Sequence, residues 1–333
     1  MPRRMGRRRS GVHGQQRRAG LPAAASPGKP ARVTTPTELF DPAFLRALEG
    51  LHIHARAVPA GGRHAEQRSR ARGAGQEFTD VRPYVPGDDF RAVDWHVFQR
   101  LDKVFIRLFL EDQDLPVYFL LDQSTSMARG PAVGPGDARS VVARRVVAAL
   151  AYLTLHQMDR VGVFPFAAQP LRPLPGLSGK NAFQRLLAYL AELPAAGGTG
   201  LCDALQQFQA RRLRRGLVVL VSDGFDPRGP DAVLAALRLL SHRPLLVRPV
   251  HAGEDRPAHL SGEIRAVDCE SGESLELGID GALLDRYQAA YRAFEQTLQE
   301  FARSRGGGYL AVRSDQPVVP QVAALFRHGV LQV

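Results

Sequence analysis

Short apolar runs alternate with segments of helical spacing from residue 115 to the end of the chain. A continuous apolar run of about four to eight residues predicts a strand covered on both faces, whereas apolar residues three or four apart predict an amphipathic helix. Their regular alternation predicts an α/β fold: a doubly wound, mostly parallel sheet with helices on both sides. The predicted strands are 117–122, 160–166, 216–223, 243–251 and 308–313, and the predicted helices are 137–159, 181–193, 201–213, 230–241, 282–304 and 318–326. A β-hairpin insertion is predicted over 261–278, turning at Glu270–Gly272.

The N-terminal third has a different pattern. Residues 1–36 are rich in Arg, Gly, Pro and Ala and have almost no large apolar side chains, which predicts a disordered basic tail. A short helix over 36–51, an alternating strand over 51–58 and another strand over 103–112 are predicted next. The predicted division is a small, mainly β module over 37–111 and an α/β domain, with the hairpin insertion, over 112–333.

The net charge of +11 is concentrated in the tail, because residues 1–34 contain nine Lys or Arg and no Asp or Glu. The rest of the chain is nearly neutral, which argues against specific nucleic-acid binding. Cys202 and Cys269 are far apart in sequence and have no neighbouring metal ligands, which argues against a disulfide framework or a zinc site. No apolar run approaches the roughly 18 residues of a membrane span, and the basic start lacks the apolar segment of a signal peptide. We therefore expect a cytoplasmic protein with no membrane span.

Small oxygen-bearing side chains follow two predicted strands and precede one predicted helix. The pattern consists of D-x-S-x-S after the first strand of the α/β domain (Asp122, Ser124, Ser126), Thr199 in the loop AAGGTGL, and Asp223 at the end of LVVLVSD. In doubly wound sheets, ligands bind beyond the carboxyl ends of the strands, near the change in strand order. Two carboxylates and three hydroxyls are hard donors that suit Mg²⁺ or Mn²⁺. The sequence therefore predicts a divalent metal site formed by these five residues.

Each part of this pattern also has a purely structural explanation. D-x-S-x-S can cap the following helix, GGTG can be a plain turn, and SDG is an ordinary exit from a strand. The joint occurrence of the three in one α/β domain favours the metal site. The arrangement resembles the metal-ion-dependent adhesion site of von Willebrand factor A domains, and all five ligand positions of that motif are present. The resemblance implies a magnesium ion, or Mn²⁺, with an exchangeable position that takes an acidic side chain of a partner protein.

The segment upstream of the metal pattern carries a second resemblance. GQEFTDVRPYVPGDDFRAVDW (75–95), the following FIRLFLEDQDLPVYFLLDQSTSM, and VDCESGE (267–273) are similar to the bacterial family called domain of unknown function 58. That family joins such a signature to a von Willebrand A-like domain, and the similarity covers about residues 37–333. Many relatives have transmembrane helices near the N-terminus, and this sequence shows none. Relatives are often encoded beside MoxR-type AAA+ ATPases, so the resemblance implies complex assembly or activation with such an ATPase or its target.

The family signature itself has two interpretations. In the first it is a structural corner, in which Pro86–Asp89 turn the chain, Arg91 pairs with Asp94, and Trp95 fills the junction between the small module and the α/β domain. In the second it is a polar patch that faces a partner. The residues of that patch are Arg82, Asp88, Asp89, Arg91, Asp94 and Trp95.

Known enzyme signatures are incomplete in this sequence. LPGLSGKN (174–181) ends like a P-loop, but Leu174 and Asn181 stand where Gly and Ser or Thr belong. The strongest enzyme alternative is a metal-dependent phosphatase or other hydrolase that uses the same oxygen ligands. Hydroxyls rather than a second carboxylate or an evident general base neighbour Asp122 in the sequence. We therefore expect a non-enzymatic protein-binding module.

Overall fold

The computed structural model describes residues 36–57, 72–73, 77–85, 93–101, 103–110, 116–157, 159–169, 171–194 and 197–327. The strands are β1 (Arg72–Gly73), β2 (Glu77–Pro83), β3 (Phe105–Leu110), β4 (Val117–Asp122), β5 (Val161–Phe166), β6 (Leu174–Leu177), β7 (Leu217–Val221), β8 (Arg243–Val250), β9 (Gly262–Val267), β10 (Ser274–Ile279) and β11 (Gly308–Arg313). The helices are α1 (Pro36–Leu39), α2 (Pro42–Ala57), α3 (Trp95–Leu101), α4 (Arg139–His156), α5 (Ala182–Glu192), α6 (Leu201–Ala210), α7 (Pro230–Arg238), α8 (Gly281–Ser304) and α9 (Val318–Arg327).

A six-stranded sheet in the order β11-β8-β7-β4-β5-β6 forms the centre of the molecule. Its neighbouring strands are parallel except for β5 and β6, which pair antiparallel. The order confirms the predicted α/β class and the mostly parallel, doubly wound sheet. From β4 the chain passes first to β5 on one side and later to β7 on the other, so the change in strand order lies between β4 and β7. The carboxyl ends of these two strands are where this fold class binds ligands.

The central strands are apolar because helices cover both of their faces. Successive side chains of a strand point to opposite faces. Phe119 and Leu121 accordingly join the core beneath α2, α4, α5 and α9, whereas Leu120 joins the core beneath α6, α7 and α8. All three side chains are almost fully buried. This packing fixes the path of β4 up to its last residue, Asp122.

The N-terminal helices pack into the first of these two cores. Phe44, Leu48 and Leu51 lie three or four residues apart and are buried there, and the helix α2 that carries them ends at Ala57. The predicted strand over 51–58 is therefore wrong, because the alternation in LHIHARA is too short to outweigh this helical period. The predicted helix over 36–51 is interrupted before Pro42, where Asp41 Oδ1 accepts a hydrogen bond of 2.7 Å from the backbone N–H of Phe44.

A separate three-stranded antiparallel sheet, in the order β1-β3-β2, lies between the N-terminal helices and the large sheet in sequence. Together with α3 it forms the described part of the predicted small module. The helices α1 and α2 belong instead to the core of the large sheet, and the boundary at residues 111 and 112 remains a prediction. The predicted disordered tail lies outside the described residues except for Pro36, which begins α1.

The amino end of the large sheet is closed by backbone contacts. A β-carbon added at Gly216, just before β7, would overlap the carbonyl oxygen of Pro116. One added at Gly307, just before β11, would overlap the carbonyl oxygen of Pro244. Only glycine allows the chain to approach so closely. The loops that are free to carry functional side chains lie at the opposite, carboxyl end. Within the described ranges, no helix has the length and apolarity needed to cross a bilayer.

Trp95 does not fill a junction between the module and the large domain. Its side chain is 58% exposed at the start of α3 and contacts Phe98 edge to face, with ring centroids 6.1 Å apart. The tryptophan stands at the start of a short helix whose described residues are not buried, which places it on the surface. The interpretation of Trp95 as a buried plug is therefore wrong.

We expect Trp95→Ala to lower the free energy of unfolding by less than about 1 kcal/mol, because surface substitutions rarely cost more. The buried aromatic Phe44 provides the matched control, and Phe44→Ala should cost about 3–5 kcal/mol. Urea denaturation of both variants measures the difference. A loss for Trp95→Ala as large as that for Phe44→Ala would show that the indole is buried.

Candidate metal centre

Asp122 ends β4 in a fully buried position at the carboxyl edge of the sheet. Its Oδ1 accepts a hydrogen bond of 2.9 Å from the backbone N–H of Ser124, and its Oδ2 accepts one of 2.6 Å from Ser222 Oγ. Ser222 follows the adjacent strand β7 and also accepts a hydrogen bond from the backbone N–H of Gly224. The carboxylate is thus held at the change in strand order by the turn that follows its own strand and by the end of the neighbouring strand β7.

The two serines of the D-x-S-x-S pattern connect Asp122 to Asp223. Ser124 Oγ and Ser126 Oγ lie 2.9 Å apart, and the Ser126 side chain is close enough to Asp223 to lower the pKa of that carboxyl. Asp223 is itself buried, and its Oδ1 accepts a hydrogen bond of 3.1 Å from the backbone N–H of Phe225. Hydrogen bonds therefore link three of the five predicted ligands, and Asp223 lies beside them at the end of the neighbouring strand.

The electrostatics of this group favour a bound cation. Burial, and after it the nearby Asp223 carboxylate, raise the pKa of Asp122 above its ordinary value. Burial also raises the pKa of Asp223, although Arg139, hydrogen bonds from Phe225 and Ser126, and Arg248 oppose that shift. Two desolvated carboxylates repel each other unless a positive charge lies between them.

Thr199, the fifth predicted ligand, lies in a loop that is attached to the same turn. The backbone N–H and the Oγ1 of Thr125 each donate a hydrogen bond of 2.8 Å to the carbonyl oxygen of Gly197. The Thr199 side chain itself donates to another group: its Oγ1 lies 2.7 Å from Glu270 Oε1, and its backbone N–H lies 2.7 Å from Glu270 Oε2. Glu270 comes from the turn between β9 and β10.

A buried arginine holds the chain segment that carries Asp223. Arg248 on β8 is 2% exposed, and its Nε donates a hydrogen bond of 2.9 Å to the carbonyl oxygen of Asp223. Its guanidinium also pairs with Glu295 on α8 at 3.1 Å and lies over the ring of Phe225, 5.7 Å from the centroid. The chain segment that carries Asp223 is thus tied to β8 and to the long helix α8.

These donors fit a small divalent cation. Asp122 and Asp223 would supply charge, and the hydroxyls of Ser124, Ser126 and Thr199 would supply neutral oxygen ligands, the donor type that Mg²⁺ and Mn²⁺ prefer. Within the described part of the chain, no three His, Cys, Asp or Glu side chains lie together as a metal-binding group. Any ion at this site would therefore depend on the hydroxyls. The two carboxylates would balance the charge of a divalent ion, and the hydroxyls would complete its ligands without adding negative charge.

A comparison with protein families decides the relationship of the chain to known proteins. The sequence model of the family described as "Protein of unknown function DUF58" matches residues 80–297, which is more than half of the chain. The chain belongs to this family. The finding confirms the predicted family, and the matched region of the DUF58 protein includes all five predicted metal ligands and the β9–β10 hairpin.

The curated relatives of this DUF58 protein include uncharacterized proteins of Mycobacterium tuberculosis and Mycobacterium bovis. Each is 27% identical over 284 residues, which cover 84% of this chain and 87% of the relative. Similar solved structures include the conserved hypothetical protein BatB from Bacteroides thetaiotaomicron, with 18% identity, a TM-score of 0.39, and coverage of 64% of this chain and 96% of that one. The SpRpn10 VWA domain matches with 10% identity, a TM-score of 0.39, and coverage of 66% and 98%. At such scores the fold class rests on the sheet order described above.

The family signature is described only in part. Asp94 is 7% exposed, and its Oδ1 accepts hydrogen bonds of 3.0 and 3.2 Å from the backbone N–H groups of His96 and Val97, so it caps the start of α3. The predicted pair of Arg91 with Asp94 cannot be placed, because Arg91 lies outside the described residues. Asp88, Asp89 and the Arg82 side chain also lie outside them, and a partner-facing patch remains a prediction in which Trp95 is exposed.

Three residues of the site were missed by the sequence reasoning. Ser222 stands beside Asp223 in SDG, and a serine at the end of a strand carries no sequence signal of its own. Arg248 lies in an apolar strand, where a buried charge leaves no periodic signal. Glu270 was recognised only as part of a turn, because 71 residues separate it from Thr199. The local signal that could have indicated a role for Glu270 is its position as a charged residue at the tip of an insertion.

Proposed function

We propose that this DUF58 protein is a non-enzymatic protein-binding module that captures an acidic group of a partner through a bound Mg²⁺ ion. Asp122, Ser124, Ser126, Thr199 and Asp223 would hold the ion, and Mn²⁺ would serve equally well. When bound, the ion supplies a positive charge with an exchangeable ligand position at the carboxyl edge of the sheet. An aspartate or glutamate of the partner would take that position.

The observation that carries this proposal is the burial of two facing carboxylates beside hydroxyls at the change in strand order. Asp122 is 0% exposed and Asp223 is 3% exposed, and both pKa values are raised mainly by burial. Keeping two such groups ionised is costly without a cation. The hydroxyls of Ser124 and Ser126 add ligands without adding negative charge, so a bound ion keeps its attraction for an outside carboxylate.

The partner that we propose is a MoxR-type AAA+ ATPase or the target of such an ATPase. The support for this choice is the family resemblance of the signature and of the α/β domain. A binding module that assembles or activates a complex needs a reversible contact, and a metal-bridged carboxylate is reversible because the ion can exchange its ligand for water.

Affinity capture from the source cell tests the proposal. We expect the wild-type chain to capture the ATPase or its target in Mg²⁺ and to lose it in EDTA, and Asp122→Asn to lose it in both conditions. Asp285→Asn is the matched control, because Asp285 is exposed and pairs only with Arg256 among the described residues. It should behave like the wild type.

Two results would contradict the proposal. Equal recovery of the same partners by wild type and Asp122→Asn, with and without EDTA, would mean that the chain binds through an ordinary surface. Turnover of aryl phosphates in Mg²⁺ that disappears in Asp122→Asn would instead support the phosphatase alternative, which uses the same oxygen ligands.

A further inference from the structure

The β9–β10 hairpin brings an acidic side chain of the chain itself against Thr199, one of the predicted metal ligands. Both carboxylate oxygens of Glu270 are used by one residue: Oε1 accepts from Thr199 Oγ1 and Oε2 accepts from the Thr199 backbone N–H, each at 2.7 Å. A β-carbon added at Gly198 would lie 3.4 Å from Oε2, so the carboxylate lies directly against this loop. The carboxylate of Glu270 therefore engages both the hydroxyl and the backbone N–H of a proposed metal ligand.

The turn that carries Glu270 is built to present it. Asp268 Oδ1 accepts a hydrogen bond of 2.9 Å from the backbone N–H of Glu270, and its Oδ2 accepts one of 2.9 Å from Ser271 Oγ. The turn closes through the Asp268 N–H, which donates to the Glu273 carbonyl at 2.8 Å. These bonds preorganise the tip, defined here as residues 268–273, so little entropy is lost when Glu270 binds.

The rest of the hairpin contacts the body weakly. The side chains of β9 and β10 alternate between exposed and half-buried positions, and Val267 and Leu275 are more than half exposed. Across the described chain, the two bonds from Thr199 to Glu270 are the hairpin's only hydrogen bonds to other segments. An element with so few contacts can separate from the body without disturbing the core.

We infer that Glu270 is an internal acidic group that holds Thr199, one of the proposed metal ligands, and that a partner's acidic group must displace it from Thr199. This inference rests on the proposed function. With the tip docked, Thr199 is engaged by the chain's own carboxylate. With the tip released, Thr199 and the ion's exchangeable position are open to a partner. The hairpin therefore competes with acidic ligands and sets how strongly they bind.

A labelled peptide of three glutamates, measured by fluorescence anisotropy in Mg²⁺, tests the inference on the full chain. Glu270→Gln removes the charge and one acceptor while keeping the size of the side chain. We expect the variant to bind the peptide about tenfold more tightly than the wild type, because the competing docked state no longer reduces the binding-competent population. Hydrogen exchange at the Thr199 N–H should also be faster in the variant, since its acceptor is weakened.

Glu273→Gln is the matched control. Glu273 is exposed in the same tip and changes the net charge identically, so this variant should bind like the wild type. Peptide binding by Glu270→Gln that is equal to or weaker than that of the wild type overturns the inference, as does a tighter binding that Glu273→Gln shares. The double variant Asp122→Asn/Glu270→Gln should not bind the peptide, and binding by it would also overturn the inference.

A titration with Mn²⁺ alone separates this inference from the proposed function. Mn²⁺ binding by the wild type but not by Asp122→Asn, together with an unchanged peptide affinity in Glu270→Gln, would leave the metal centre standing and remove the role of the hairpin. Absence of Mn²⁺ binding by the wild type would remove both.

Discussion

Asp122→Asn is expected to abolish Mn²⁺ binding and, at the same time, to make the metal-free protein more stable. The binding loss follows because the substitution removes one of the two charges at the centre and replaces a carboxylate oxygen by an amide. We expect the affinity to fall by at least about 100-fold, since even residues that only support a ligand change metal affinity by about 10- to 100-fold. Electron paramagnetic resonance of free Mn²⁺ measures it directly.

The gain in stability follows from the sign of the pKa shift. The pKa of Asp122 is raised in the folded protein, so this group stabilises the fold at low pH and the stabilisation is lost as the pH rises through the folded value. In EDTA, wild type should therefore weaken relative to Asp122→Asn from about pH 4, the ordinary range of aspartate, up to neutral pH. At pH 7 the difference should reach at least about 1 kcal/mol, the equivalent of a single pKa unit.

Mg²⁺ should reverse this order. A ligand that binds only the folded state raises its stability, so excess Mg²⁺ should raise the melting temperature of the wild type and leave that of Asp122→Asn unchanged. Equal stability of the two proteins in EDTA at every pH would show that burial does not destabilise the ionised form of Asp122. An equal response of both to Mg²⁺ would place the ion elsewhere.

Arg248→Met is expected to destabilise the protein by about 3–5 kcal/mol, the range for breaking a buried ion pair from one side. The substitution would leave Glu295 without its ion-pair partner and the Asp223 carbonyl without the Arg248 donor. The guanidinium also lies over the rings of Tyr291 and Phe294, 5.1 and 5.6 Å from their centroids, so cation–π contacts are lost as well. Chemical denaturation in EDTA measures the loss without interference from metal.

Arg313→Met is the matched control for this prediction. Arg313 forms an ion pair of 2.7 Å with Asp315, but half of its side chain is exposed. Water screens such an exposed pair, so the control should stay close to the wild type. If Arg248→Met were no more destabilised than Arg313→Met, the buried network would not hold α8 to the end of β7.

The α/β domain could be predicted from the sequence because its strands are continuous apolar runs. LVVLV and PLLV leave no alternative to strands buried on both faces, and the helix over Arg139–His156 is long enough for its period to be clear. The prediction fails for LHIHARA in α2. Its period is decided by Phe44 and Leu48 earlier in the helix and by a core to which distant parts of the chain, among them α4 and α9, contribute.

The candidate site divides in the same way. Asp122, Ser124 and Ser126 are close in sequence and end an unmistakable strand, so local pattern and fold rule together point to them. The contact of Glu270 with Thr199 depends on how an insertion folds back over the sheet, and no local pattern encodes that path. Trp95 shows the opposite error: a large aromatic residue predicts burial on average, but its position at the start of a short surface helix decides otherwise.

The two ends of the β9–β10 hairpin meet, since Gly262 pairs with Ile279 at its base. The chain therefore leaves and re-enters the body at nearly one point. The connection from β8 to α8 does not depend on the length or sequence of the hairpin. Insertions with adjoining ends are readily exchanged or shortened, as circular permutation and domain insertion are tolerated at such places. The tip can thus be replaced by another sequence while the sheet and Arg248 stay unchanged. Such replacements offer a way to change which acidic ligand this protein accepts.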